Sequence, residues 1–187
     1  MKLTGLAGLV AGAFSMGAGE YVSMQAQREL LQRELDVERK ALRASPEGES
    51  RELVAIYEDR GIDPTLARDL VDKVMQDPEL ALEVHAREEL GIHPGALGSP
   101  WQAALSSVLA FAVGAFLPLL PWLLGSGTAA ILASVAIGAA ASLLVGAGLA
   151  GLTGRSRWRS AFRQLTVAAV AASVTYGIGR AVGVGVS

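Results

Sequence analysis

The 187-residue chain has no cysteine, which removes structural disulfides, thiolate metal sites and cysteine nucleophiles together. It is also short of charge, with 18% of its residues charged against 51% apolar. The shortage is local. After Glu89 there is not one acid, and between 94 and 154 there is no charged residue at all. A water-soluble globule cannot keep so long an uncharged run from aggregating, so an ordinary cytosolic enzyme is excluded. No Walker-type loop, dinucleotide glycine fingerprint or nucleophile elbow occurs either. What remains is an integral membrane protein with one hydrophilic insert. Seventeen of the 18 carboxylates lie within 28–89, the exception being Glu20. Acids outnumber bases in that insert, which argues against a nucleic-acid partner.

Crossing a hydrocarbon core takes about 20 apolar residues in a helix. Four segments meet that length: the first within 1–24, then about 101–124, 128–152 and 164–184. The second begins at Ser99-Pro100, a cap residue followed by a first-turn proline. Pro118 and Pro121 fall late in it, where missing N–H groups should kink it or end it early. The loop bearing Arg155, Arg157 and Arg159, with Arg163 just beyond, is short and positive and so belongs on the cytosolic side. Counting back from it, the turn at 125–127 lies outside and the insert, 25–99, is cytoplasmic. Arg28, Arg33, Arg39, Lys40 and Arg43 agree, and Lys2 alone argues the other way. A cleaved signal peptide at the N-terminus would reverse this order and put the arginine loop outside.

The insert reads as helices separated by clear punctuation. A polar helix continues the first span to about Arg43. Ser45-Pro46, Asp63-Pro64 and Asp77-Pro78 then each offer a cap residue and a helix-starting proline. Gly61 and Gly91 stand where helix-ending glycines belong. Short helices are therefore expected near 46–60, 64–76 and 78–90, and no strand pattern appears anywhere.

Two groups of residues could carry chemistry. Met16, Glu20 and Met24 recur every four residues and line about 12 Å of one helix face. A carboxylate in a span costs roughly 2.5–3.5 kcal/mol on insertion scales, and such groups face a polar pathway or a partner. Flanking thioethers add soft ligands suited to transition metals. The plainer alternative is an interfacial Glu20 between packing methionines. In the insert, Glu34 and Glu38 share a face, as do Glu49 and Glu52, while His85, Glu88 and Glu89 form H-x-x-E-E. Carboxylates one turn apart repel unless a cation sits between them, and di-iron bundles assemble their ligands from such pairs and a histidine. The alternative is a solvated, charge-rich face interspersed with Arg33, Arg39, Arg51 and Arg87. His93, outside any helix, reads as a loop residue. Gly8, Gly12, Gly17 and Gly19, and the stripe Gly138, Ser142, Gly146, Ala150 and Gly154, read as close-packing positions.

The motifs SMGAGEYVSMQAQREL at 15–30, PEGESREL at 46–53, REELGI at 87–92 and GSPWQAALSSVLAFAVGAFLPLLP at 98–121 resemble the vacuolar iron transporter family in its bacterial, iron/manganese form. The resemblance covers nearly the whole chain. It implies proton-coupled export of Fe²⁺ and Mn²⁺ from the cytosol by a homodimer in the bilayer. The cytosolic helical domain would collect the metal, with no cofactor beyond the transported ions. The family's membrane methionine falls on Met16, its paired glutamates on Glu49 and Glu52, and its glutamate before Leu-Gly on Glu89. His85 stands where some members carry methionine. Glu38 looks like the first of an earlier E-x-x-E pair whose partner position is Ala41 here. Family members have five spans, and this sequence starts about where the second begins. The first helix and its pathway aspartate are thus expected to be missing, with Glu20 standing in for an acidic position that is Gly8 here.

The expectation is therefore an all-α membrane protein of four transmembrane helices, with the helical metal-binding domain 25–99 inserted between the first and second and the other three within 100–187. Metal is gathered by Glu38, Glu49, Glu52, His85 and Glu89, and passes along Met16 and Glu20. The expected location is the inner (plasma) membrane. The competing expectation is a truncated, membrane-anchored metal-binding or sensing module that does not transport.

Overall fold

The computed structural model describes residues 2–93, 95 and 97–183. Pro94 and the expected end of the fourth span at 184 lie outside the described residues. Seven α-helices occur among those described: α1 (Lys2–Ala44), α2 (Pro46–Asp59), α3 (Pro64–Val74), α4 (Pro78–Glu88), α5 (Pro100–Leu124), α6 (Gly127–Thr153) and α7 (Arg157–Ala181). They form two compact units, Met1–Met16 with Ser107–Ser187, and Gly17–Ser106.

In the second unit, cap chemistry sets the helix boundaries. Asp63 accepts from the N–H groups of Thr65 (2.9 Å) and Leu66 (3.3 Å), and Asp77 from those of Glu79 (3.0 Å) and Leu80 (3.3 Å). Each satisfies two amides that the first helical turn leaves without partners. Ser45 departs from expectation: its side chain makes no cap bond, and only its carbonyl accepts, from Gly48 and Glu49. Gly61 (φ 87°) and Gly91 (φ 67°) turn the chain in the left-handed region, where a Cβ would be strained. With the boundaries fixed, the apolar faces of α2, α3 and α4 close over Leu53, Val71, Val74 and Ala81, with Leu42 of α1 against them. Leu53 and Val71 are completely buried. Removing each side chain from water contributes about 1.5–3 kcal/mol. A second cluster joins Leu35 of α1 to Ala86 and Ile92. These two clusters fix how α4 lies along α1, and so which polar side chains meet there.

In the first unit, α6 and α7 pack as a hairpin around Gly146. A Cβ at Gly146 would stand 2.6 Å from the Ala161 Cα and from the Ser160 carbonyl oxygen. The small-residue stripe of α6 is therefore a packing surface, with Ala150 1% exposed in the same row. On α1 the close approach falls at Gly5 and Gly12, against Leu119 and Phe111 of α5, while Gly8 meets nothing. Lys2 donates to the Leu123 carbonyl at 2.8 Å, so the base that opposed the charge pattern satisfies the end of α5.

α5 continues past Pro118 and Pro121 to Leu124 rather than ending early. The Ser134 hydroxyl of α6 donates to the Pro118 carbonyl at 2.7 Å and ties the proline segment to its neighbour. The last helix begins at Arg157, about two turns ahead of the apolar stretch expected to span from about 164. Arginine is a good helix former, and Ser156 stands at the cap position ahead of it, so the polar turn folds with the apolar run. Among the described residues two helices, α5 and α6, are long and apolar enough to cross a membrane.

Candidate metal centre

Three helices deliver the polar residues of the second unit to one place. Glu38 comes from α1, Glu49 from the first turn of α2 and His85 from the last turn of α4. One ligand atom from each lies within 4.8 Å of the others. Glu38 is 6% exposed, and its Oε1 is buried without a hydrogen-bond partner. An orphaned buried polar atom costs about 1–3 kcal/mol. His85 is completely buried. Its Nδ1 lies 2.9 Å from the Ala81 carbonyl one turn back, and its Nε2 3.2 Å from the Glu49 carbonyl. A carbonyl only accepts, so a neutral ring can satisfy one of the two, and the tautomer sets which nitrogen does so and which keeps its lone pair.

Electrostatics bring in the other two expected residues. The Glu38 carboxyl is pushed above its ordinary value, first by burial and then by the charges of Glu89, Glu49 and Glu52, with His85 opposing. Glu89, at the C-cap of α4, is raised by burial and by Glu52 and Glu49. All five residues thus share one field. Glu38 and His85 are buried and Glu49 is half-buried, while Glu52 and Glu89 are exposed to solvent. The four ion pairs among the described residues leave all five out. Carboxylates brought close to Glu38 and His85 disfavour one another's charge. Bound, a divalent cation of the kind that accepts oxygen and imidazole together would relieve that repulsion.

The remaining candidates fall elsewhere. Glu88 does not join Glu89, because it turns to Arg60 at the end of α2 and pairs with it. Ala41, three residues after Glu38, offers no side-chain ligand. Glu20 is exposed on α1, and Met16 is 51% exposed one turn before it. Met24 packs by its sulfur over Gly98, where a Cβ would stand at 2.8 Å, so the third member of that stripe is a packing residue. His93 is exposed outside any helix, as expected. Sequence reasoning misses the Ala81 and Glu49 carbonyls that orient His85. The Ala81–His85 spacing of four is the only available signal for the first, and the second depends on how α2 meets α4.

The model of the VIT family matches residues 1–180. A vacuolar iron transporter of Acanthamoeba castellanii is 35% identical over 185 residues, covering 95% of this chain and 67% of that protein. Vacuolar iron transporter 1 of Oryza sativa and of Arabidopsis thaliana are each 31% identical over 179 residues. Those alignments cover 95% of this chain in both cases, and 71% and 72% of the relatives. These names overturn the expected location as a reading of the family: the relatives are named for the vacuole, not the plasma membrane. A family match over nearly the whole sequence, with relatives above 30% identity, settles the affiliation: the chain belongs to the VIT family, a family of transporters and not of enzymes.

Proposed function

We propose that the chain carries a divalent transition metal, Fe²⁺ or Mn²⁺, across a membrane out of the cytosol in exchange for protons, as a homodimer. The observation that carries the reading is the buried, unpartnered Glu38 carboxylate within 4.8 Å of Glu49 and His85. Such a set of carboxylate and imidazole suits Fe²⁺, Mn²⁺ and Zn²⁺, and the names of the relatives favour iron. Glu52 and Glu89 complete the collecting site. Glu38 and Glu89 hold a proton more readily than ordinary carboxyls do, first through burial and then through their neighbours' charges, and a cation that displaces such protons couples metal loading to pH.

In this reading four helical segments cross the bilayer: the apolar start of α1, then α5, α6 and α7. The insert 25–99 and the arginine-rich α6–α7 turn face the cytosol. Met16 and Glu20, one turn apart on α1, form the pathway, with Glu20 exchanging protons as the ion passes. The test is the full chain in liposomes, with Fe²⁺ and Mn²⁺ uptake and internal pH followed together. Metal-driven proton movement is expected, and Glu20→Gln abolishes it; undiminished proton movement in that variant removes Glu20 from the pathway. A second reading, a membrane-anchored metal-binding module, is favoured by one fact: all five ligand candidates lie inside the single unit Gly17–Ser106. It predicts stoichiometric metal without flux in the same liposomes.

A further inference from the structure

The unit built from Met1–Met16 and Ser107–Ser187 contains six bases, Lys2, Arg155, Arg157, Arg159, Arg163 and Arg180, and no acid. Three of these bases are gathered into one cavity. Arg155, just ahead of α7, and Arg159 and Arg163, one turn apart on it, line with Ser156 and Ser160 an open cavity of about 300 Å³. None of the four ion pairs among the described residues involves them, all four lying within 36–88. The arrangement is electrostatically costly. Like charges at i, i+4 repel, and the N-terminal end of a helix is already positive. Helices ordinarily place acids there, and α7 has none in its first turn. On the same two turns the rings of Trp158 and Phe162 stack with centroids 6.3 Å apart, 75% and 57% exposed. Exposed aromatics beside guanidinium groups match the headgroup level of a bilayer, where an amphipathic ring sits half in hydrocarbon. Arg157, next to Trp158, lies outside the cavity.

We propose that this cavity binds the phosphate of an acidic phospholipid headgroup. Arg155, Arg159 and Arg163 supply its counter-charge, the serines of the wall offer hydroxyl donors, and Trp158 and Phe162 seat the turn at the interface. Guanidinium suits the task because its planar fork grips two phosphate oxygens at once. The proposal rests on α6 and α7 crossing a bilayer, as proposed above. It is separate from metal transport and uses none of the metal-site residues.

The test uses the full chain, delipidated in detergent, and native mass spectrometry to compare retention of phosphatidylglycerol with that of phosphatidylcholine. A second arm adds inorganic phosphate alone. The wild-type chain is expected to prefer the acidic lipid. Arg159→Gln with Arg163→Gln should lower that preference about 25-fold, at roughly fivefold for each basic residue near an acidic membrane surface. Arg28→Gln with Arg157→Gln removes the same charge from the cytosolic side outside the cavity and is expected to leave the preference in place. Equal losses in the two double variants would mean diffuse surface attraction and overturn the site. So would equal retention of the two lipids by the wild type. Inorganic phosphate displacing the acidic lipid at equal concentration would assign the cavity to soluble phosphate and overturn the lipid assignment. Failure of the chain to enter phosphatidylcholine nanodiscs at all would instead count against the membrane-spanning reading beneath it.

Discussion

Glu38 separates what spacing can show from what only packing shows. Its one-turn relation to Glu34 is legible in the sequence, as are the pairs Glu49 with Glu52 and His85 with Glu89. Which of each set turns inward is not, because that depends on Leu35 of α1 meeting Ala86 and Ile92. The adjacent glutamates show the limit: Glu89 lies within the influence of the Glu52 and Glu49 charges, while Glu88, one residue earlier, pairs with Arg60. The buried Glu38 carboxyl gives a prediction with a definite sign. Its pKa is raised in the folded chain, so the folded state binds this proton more tightly than the unfolded one does. The stability that the proton contributes is complete below the ordinary value of 4.5 and is lost as pH rises through the raised one. Glu38→Gln removes both the charge and the titration. Thermal unfolding of the ion-free chain should then show a flatter pH profile than wild type above that value. At neutral pH the variant should be more stable, by about 1–2 kcal/mol, and should bind no Fe²⁺ or Mn²⁺ at this site. Parallel pH profiles in the two proteins would contradict the assignment of an unpaired carboxylate there.

Among the elements, the start signals are the most readable. Asp-Pro at 63–64 and 77–78 places a capping carboxylate and a preset φ in successive residues, and α3 and α4 begin there. Ser45-Pro46 carries the same signal, and α2 starts at Pro46, but the serine side chain is not used. Apolar length marks the stretch of α7 from about 164, but not the arginine-rich turns from Arg157 that fold with it. Small residues tell that helices approach closely, but not which ones meet. Gly146 and Gly148 make the distinction testable. A methyl at Gly146 runs into the α7 backbone, which has no flexible end to move aside, whereas one at Gly148 meets nothing within 4 Å. Gly146→Ala should cost about 1–3 kcal/mol by overpacking. Gly148→Ala should be neutral or gain up to about 1 kcal/mol of helix propensity. Both are read from thermal unfolding in detergent, and equal effects would deny the α6–α7 contact its place in the fold.

For the whole molecule, the distribution of charge makes the claim with most at stake. The acids fall within 20–89, while the bases after 89 fall at 155–163 and at Arg180. Large apolar side chains stand exposed along the other segments, Leu124 and Leu152 at 87% and 86% among them. Water would not tolerate that surface, and a bilayer accepts it. If α6 crosses, the turn at 125–126 and the turn at 154–156 must lie on opposite sides. The absence of cysteine makes this directly measurable, since any cysteine introduced is the only thiol in the chain. Ser126→Cys, Ser156→Cys and Asp59→Cys place single thiols in the first turn, in the second turn and at the end of α2 in the insert. The three variants are compared in sealed vesicles with the chain in one orientation. A membrane-impermeant maleimide added outside should label either the thiol at position 126 alone or those at both 156 and 59. Lysing the vesicles should expose the remainder. Labelling of 126 and 156 from the same side would show that α6 does not cross. Labelling of 59 and 156 from opposite sides would place the acidic collector across the membrane from the arginines and reverse the proposed direction of metal movement.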